Sequence, residues 1–168
     1  MKKSFFLLLI STCFLVFSSC SNDDASNPVI GSWKLITWSI AIPVDLNSDS
    51  KFSTNLLDEI ACDANEILSF DAHGLAYSSN TFNPELSISL KDDTSDEYII
   101  DVTCDEGSIG FATEYAQIGQ ESVSFNDAVG VVSGSRLSIV YPNAIKVYNE
   151  TFTEVVETKN LTLIYEKN

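Results

Sequence analysis

The sequence predicts an all-β protein, an antiparallel barrel of about eight to ten strands with one short helix, set behind an export leader. Three observations predict it. Apolar and polar residues alternate in short runs, most clearly where Leu86, Ile88 and Leu90 interleave with Ser87, Ser89 and Lys91. Turn-forming residues separate these runs, as in Asp71-Ala72-His73-Gly74. Only Thr54–Cys62 has helical character, enough for two or three turns at most. A barrel is favoured over a sandwich because closure leaves no exposed strand edge.

The chain begins with the short positive segment Met1-Lys2-Lys3. Phe5–Phe17 follows, apolar apart from Ser11 and Thr12, too short to span a bilayer and of the length of a signal-peptide core. Phe17-Ser18-Ser19-Cys20 then resembles the bacterial lipobox, with Phe17 where Leu is usual. That resemblance implies cleavage before Cys20 and a diacylglycerol on its thiol. Ser21–Pro28 is polar and ends in proline, so it reads as a flexible tether. Its Asp23-Asp24 pair resembles the surface-export signal of Bacteroidetes lipoproteins, which implies an outer-membrane, surface-exposed location. The expected division is a lipoprotein signal peptide over 1–19, a lipidated cysteine and tether over 20–29, and one domain over 30–168.

Removing the first 19 of 168 residues leaves 149, enough for one domain with its own core. The leader takes Lys2 and Lys3 but no acid, so the net charge moves from −15 to −17. So acidic a surface repels nucleic acid and anionic headgroups, which excludes a nucleic-acid partner. It also attracts divalent cations.

Of the four cysteines, Cys13 leaves with the leader and Cys20 takes the lipid. Cys62 and Cys104 remain, in an oxidising compartment, and a disulfide is the economical reading. It would close a loop of about 40 residues, worth on the order of 4 kcal/mol in the chain-entropy model. A zinc site needs more ligands than two isolated cysteines supply.

The expected strands follow in order. Ile30–Ile40 opens the domain, with Trp33 and Leu35 on one face. Glu66–Phe70 and Leu75–Ser79 flank a hairpin turn in which Gly74 takes positive φ. Runs around Leu86–Leu90, Tyr98–Thr103, Phe111–Gln117, Ser122–Phe125, Arg136–Tyr141, Ile145–Val156 and Asn160–Glu166 complete the set.

Gly31-Ser32-Trp33 resembles the Gly-x-Trp motif of lipocalins. Asp45-Leu46-Asn47, Asn55-Leu56-Leu57, Cys62, Leu68-Ser69-Phe70 and the ending Leu161–Lys167 are similar to lipocalin-like lipoproteins of Bacteroidetes. The resemblance covers most of the mature chain and implies a lipocalin-like barrel. That family often sets an arginine after the last strand against the tryptophan. Here the only arginine, Arg136, comes before the last strands.

Candidate sites are few. Asp45, Asn47 and Asp49 have the spacing that points three oxygens inward in a calcium loop, with Ser53 at the ninth position. Ser50 stands where such loops carry glycine and Leu56 where they carry a bidentate acid, so an Asx-rich turn is the competing reading. Calcium is the only cofactor suggested. His73, the sole histidine, sits in a predicted turn with no nucleophile motif beside it, and the domain is read as non-enzymatic. Trp33, Phe70, Tyr77, Tyr98, Tyr141 and Tyr165 are expected on inner faces, either filling the barrel or lining a cavity. The small residues between Gly107 and Gly134 are expected to leave room there. The specific expectation is an apolar pocket with Tyr98, Tyr141 and Tyr165 on one wall and Phe111 on the other. The functional reading is a lipid-anchored envelope protein binding a small apolar or amphipathic ligand. The alternative is a surface interaction or structural module with a filled barrel.

Overall fold

A computed structural model describes residues 27–92, 96–104, 107 and 109–168. The leader, Cys20 and most of the tether lie outside the described residues. The strands are β1 (Gly31–Val44), β2 (Ser53–Asn55), β3 (Ile67–Phe70), β4 (Leu75–Ser78), β5 (Glu85–Leu90) and β6 (Tyr98–Thr103). They continue as β7 (Phe111–Glu114), β8 (Ala116–Gln117), β9 (Ser122–Phe125), β10 (Ala128–Ser133), β11 (Arg136–Tyr148) and β12 (Val155–Lys167).

Nine of these strands form a nearly closed antiparallel barrel, in the order β7-β4-β3-β1-β12-β11-β10-β9-β8. The two ends of that path are consecutive in the chain, with only Tyr115 between them. Phe111–Glu114 pairs with β4, and Ala116–Gln117 pairs with β9. One bent run therefore serves both edges, and the backbone itself closes the wall. Except at the β7–β8 junction, each wall strand pairs the next wall strand in the chain, and β12 returns to pair β1. The up-and-down order needs no crossover, as hairpin-connected antiparallel strands allow.

Alternation decides which side chains enter the barrel. On β1, Trp33, Leu35, Trp38, Ile40, Ile42 and Val44 are buried. Leu68 and Phe70 on β3, Leu137 and Ile139 on β11, and Leu163 and Tyr165 on β12 complete the main wall of the core. Phase is preserved across a bulge between Leu35 and Thr37. Asn55 stitches this bulge: its Oδ1 accepts the Trp38 N–H at 2.9 Å and its Nδ2 donates to the Ile36 carbonyl at 3.3 Å.

Trp33 plugs one end. It is fully buried, and its indole N–H donates to the Val29 carbonyl at 2.8 Å. The Lys167 ammonium lies 5.0 Å from its ring centroid and also donates to the Pro28 carbonyl at 2.7 Å. A cation thus covers the tryptophan from the last strand, and it is lysine rather than arginine. Turns at Asp71–Gly74 and around Gly134 cap this end, with Gly74 at φ +88°.

Several sequence expectations change. The helix over Thr54–Cys62 shrinks to one 3-10 turn, Leu56–Asp58, because Asn55 is committed to β1 and caps the turn instead. Strands expected over Arg136–Tyr141 and Ile145–Val156 become β11 and a tight turn. Asn149 Oδ1 there accepts the Thr153 N–H at 2.9 Å and reverses the chain. Tyr77 is exposed, since Ala76 and Ser78 take the inner face of β4. β5 and β6 form a hairpin outside the wall, with Ile88 opposite Ile100 and Leu90 opposite Tyr98. One bridge from Ser89 to Tyr148 joins it to β11.

The disulfide is present. Cys62 and Cys104 are bonded with Cα atoms 5.4 Å apart, tying the segment after the 3-10 turn to the end of β6. Among the described residues, the strands, this bond and the buried core lie within residues 29–168.

Candidate functional site

The half of the barrel away from Trp33 is hollow. A cavity of about 410 Å³ is lined there by Trp38, Leu68, Phe82, Phe111, Phe125, Tyr141, Leu163 and Tyr165, among others. Its position follows from register. Leu163 lies between Trp38 and Ile139 across the three neighbouring strands, and Tyr141 pairs Leu161 one step nearer the open end. Phe125 and Asn126, at the β9–β10 turn, and the segment Thr81–Asn83 complete the mouth.

One acid stands inside. Glu66 precedes β3, but its carbonyl accepts the Leu35 N–H at 3.1 Å, which extends the β1–β3 ladder by one step. Alternation then puts its side chain on the face of Leu68 and Phe70, and it is only 2% exposed. Leu35 lies between Glu66 and Tyr165, one on each flanking strand. The Tyr165 hydroxyl reaches over Leu35 and donates to Glu66 Oε1 at 2.9 Å. The Phe82 N–H donates to Oε2 at 2.9 Å, which latches the segment after β4 across the mouth. The Phe82 ring in turn meets Trp38 edge to face at 5.9 Å.

Electrostatics follow from this burial. Desolvation pushes the Glu66 carboxyl above its usual 4.5, against the lowering effect of its two hydrogen bonds. Tyr165 is pushed well above its usual 10.0 by burial and by the Glu66 charge, and Tyr141 is raised by the same two causes. Among the described residues, Glu66 has no cationic partner within ion-pair distance. Nearby, the Thr81 hydroxyl is buried with no hydrogen-bond partner, and Thr81 also lines the cavity.

The structure brings Tyr141, Tyr165 and Phe111 to this one cavity. Tyr98 is elsewhere and is corrected here. It belongs to the outer hairpin, where its hydroxyl donates to Glu157 Oε2 at 3.1 Å and its ring lies 5.7 Å from the Lys159 ammonium. Lys159, and then Tyr98, hold the Glu157 carboxyl below its usual range. The small residues expected to open the barrel contribute little. Among the described glycines and alanines of that stretch only Ala128 and Gly130 are buried, while Ala112 and Ala116 face outward.

Asp45, Asn47, Asp49 and Ser53 form a chain of turns. Asp45 accepts the Asp49 and Ser50 N–H groups at 3.0 Å, Asn47 accepts Asp49 N–H at 2.9 Å, and Asp49 accepts Lys51 N–H at 2.8 Å. The Ser53 hydroxyl donates to Asp58 at 3.1 Å. The oxygens of a calcium loop are thus directed at the loop's own amides. Among the described residues, no group of three or more His, Cys, Asp or Glu is placed to hold a metal ion. His73 is exposed in its turn.

Sequence reasoning missed Glu66 although the signal was present. Reading Glu66–Phe70 as a strand with Leu68 and Phe70 inside puts Glu66 inside as well.

No protein-family model, curated protein or solved structure matches this chain.

Proposed function

We propose that this is a non-enzymatic, lipid-anchored outer-membrane protein of the lipocalin-like kind, whose barrel binds one small apolar or amphipathic molecule. The observation that carries the binding reading is the cavity of about 410 Å³ opposite the Trp33 plug. It falls within the range of roughly 300–1,000 Å³ that small-molecule sites occupy, and it has the expected apolar wall with a few convergent polar groups. The neighbour-to-neighbour strand order and the cation over Trp33 support the kinship. The anchoring reading rests on Phe17–Cys20 and the tether behind it.

Native mass spectrometry of residues 21–168, together with titration by the neutral dye Nile red, tests the binding reading. A co-purifying mass or a saturable dye site is expected, and Leu163→Trp, which fills the cavity, should weaken the dye. Neither signal appearing overturns it. Cys20→Ser should leave the membrane fraction, since stable attachment takes more than one acyl chain and the mutant has no acylated thiol. Retention equal to wild type overturns the anchor.

A surface interaction module is the second reading. Its supporting observation is a patch of exposed valines, with Val129 directly opposite Val140 and Val131 on the same strand as Val129. It is the reading left if the cavity takes no ligand.

A further inference from the structure

We infer that the ligand of this cavity is a small amphipathic amine, an organic cation on an apolar body, with Glu66 as its counter-ion. The inference deepens the binding reading above and rests on it.

Three observations converge. Glu66 is a nearly fully buried acid on the wall of a largely apolar cavity, whose other polar lining residues, Thr81, Asn83 and Asn126, are uncharged. Its two hydrogen bonds, from Phe82 N–H and Tyr165 hydroxyl, use one lone pair on each oxygen and leave a second on each. Among the described residues, no Lys, Arg or His lines the cavity and no cation lies within ion-pair distance of the carboxylate. A buried unpaired charge is costly, and a ligand cation is the partner that removes the cost.

The rest of the lining suits such a molecule. Trp38, Phe82, Phe111, Phe125, Tyr141 and Tyr165 supply aromatic rings, whose faces attract cations and whose area holds an apolar body. Thr81 also lines the cavity, and its buried hydroxyl has acceptor capacity that no protein group uses. Thr81 immediately precedes the residue whose N–H meets Glu66, which puts both acceptors in one part of the wall. The chain's charge of −15 further concentrates cations at its surface. An anionic amphiphile such as a fatty acid would bring its carboxylate against Glu66 and is disfavoured.

The test uses three probes of one shape and different charge on residues 21–168: tryptamine, tryptophol and indole-3-propionate, by isothermal titration at neutral pH. Tryptamine should bind at least about tenfold tighter than tryptophol, the margin of one charge-assisted hydrogen bond, and the acid should bind weakest. Glu66→Gln should bring tryptamine to about the affinity of tryptophol, with a thermal melt confirming that the variant is folded. The three-probe comparison on the wild type stands without the variant. Equal binding of the three probes, or an amine preference that survives in folded Glu66→Gln, overturns the amine and leaves the cavity a ligand site. So does saturable Nile red binding with none of the probes bound. If neither probes nor Nile red bind, both readings fall.

Discussion

Truncating Glu66 should separate its hydrogen-bonding role from its charge. In Glu66→Ala the Phe82 N–H and the Tyr165 hydroxyl, both now bonded to the carboxylate, lose their acceptor. Each buried orphan costs about 1–3 kcal/mol, so the variant should lose about 2–6 kcal/mol. With a urea m-value near 2 kcal/mol per M, the midpoint should fall by about 1–3 M. Glu66→Gln behaves differently. Its amide oxygen still accepts from Phe82, while its amide nitrogen can only donate to the Tyr165 oxygen, so one partner keeps its bond and the loss should be about half that of the alanine variant. The charge appears in the pH dependence. Because burial raises the folded-state pKa above the usual 4.5, folding favours the protonated acid. That contribution is fully present below 4.5 and is lost as pH rises through the raised value. Urea midpoints from pH 4 to 8 should therefore show wild type declining relative to Glu66→Gln as pH rises. Parallel profiles would refute the buried charge, and an alanine variant no weaker than glutamine would refute the latch.

Replacing Cys62 and Cys104 by serine should cost about 4 kcal/mol by the chain-entropy argument for a 42-residue separation, read as a lower denaturation midpoint; an unchanged midpoint would show that the loop is already constrained without the bond. Millimolar calcium should leave the melting temperature unmoved, because Asp45 and Asp49 already hold their own loop's amides; a rise of several degrees that Asp49→Ala abolishes would restore the calcium site. Lys167→Met should destabilise by about 1 kcal/mol, having lost the cation over Trp33 and the bond to Pro28, with a shift in tryptophan emission on the same melt; no change in either would show the ammonium to be solvated.

The barrel was legible because its evidence is local. Alternation along Leu161, Leu163 and Tyr165 and the turn at Gly74 specify strands and a reversal without reference to the rest of the chain. What was not legible depends on partners far apart in sequence. Nothing near Tyr98 distinguishes a wall strand from an outer hairpin, since both alternate; the distinction is set by which strand β7 pairs, and that strand is β4. The helix failed for a similar reason: Asn55 is drawn into a β1 bulge 17 residues earlier, which helical propensity cannot register.

Glu66 is the instructive case, because it was locally legible and still overlooked. The alternation that put Leu68 and Phe70 inside puts Glu66 inside too, yet an acid at the end of a strand reads by default as solvated. What makes burial tolerable is a hydroxyl 99 residues away and an amide 16 residues away, and neither can be found by scanning a window. The two bonds satisfy geometry but do not neutralise charge, and both donors are themselves uncharged. A core built for stability alone would place leucine there, with phenylalanine at Tyr165, and leave no acid to desolvate. The carboxylate is thus a cost to folding that the barrel's own contacts do not offset in full, and it sits where a bound cation would offset it. That asymmetry gives the amine hypothesis a direction: binding should stabilise the wild type more than Glu66→Gln, by the ratio of their affinities.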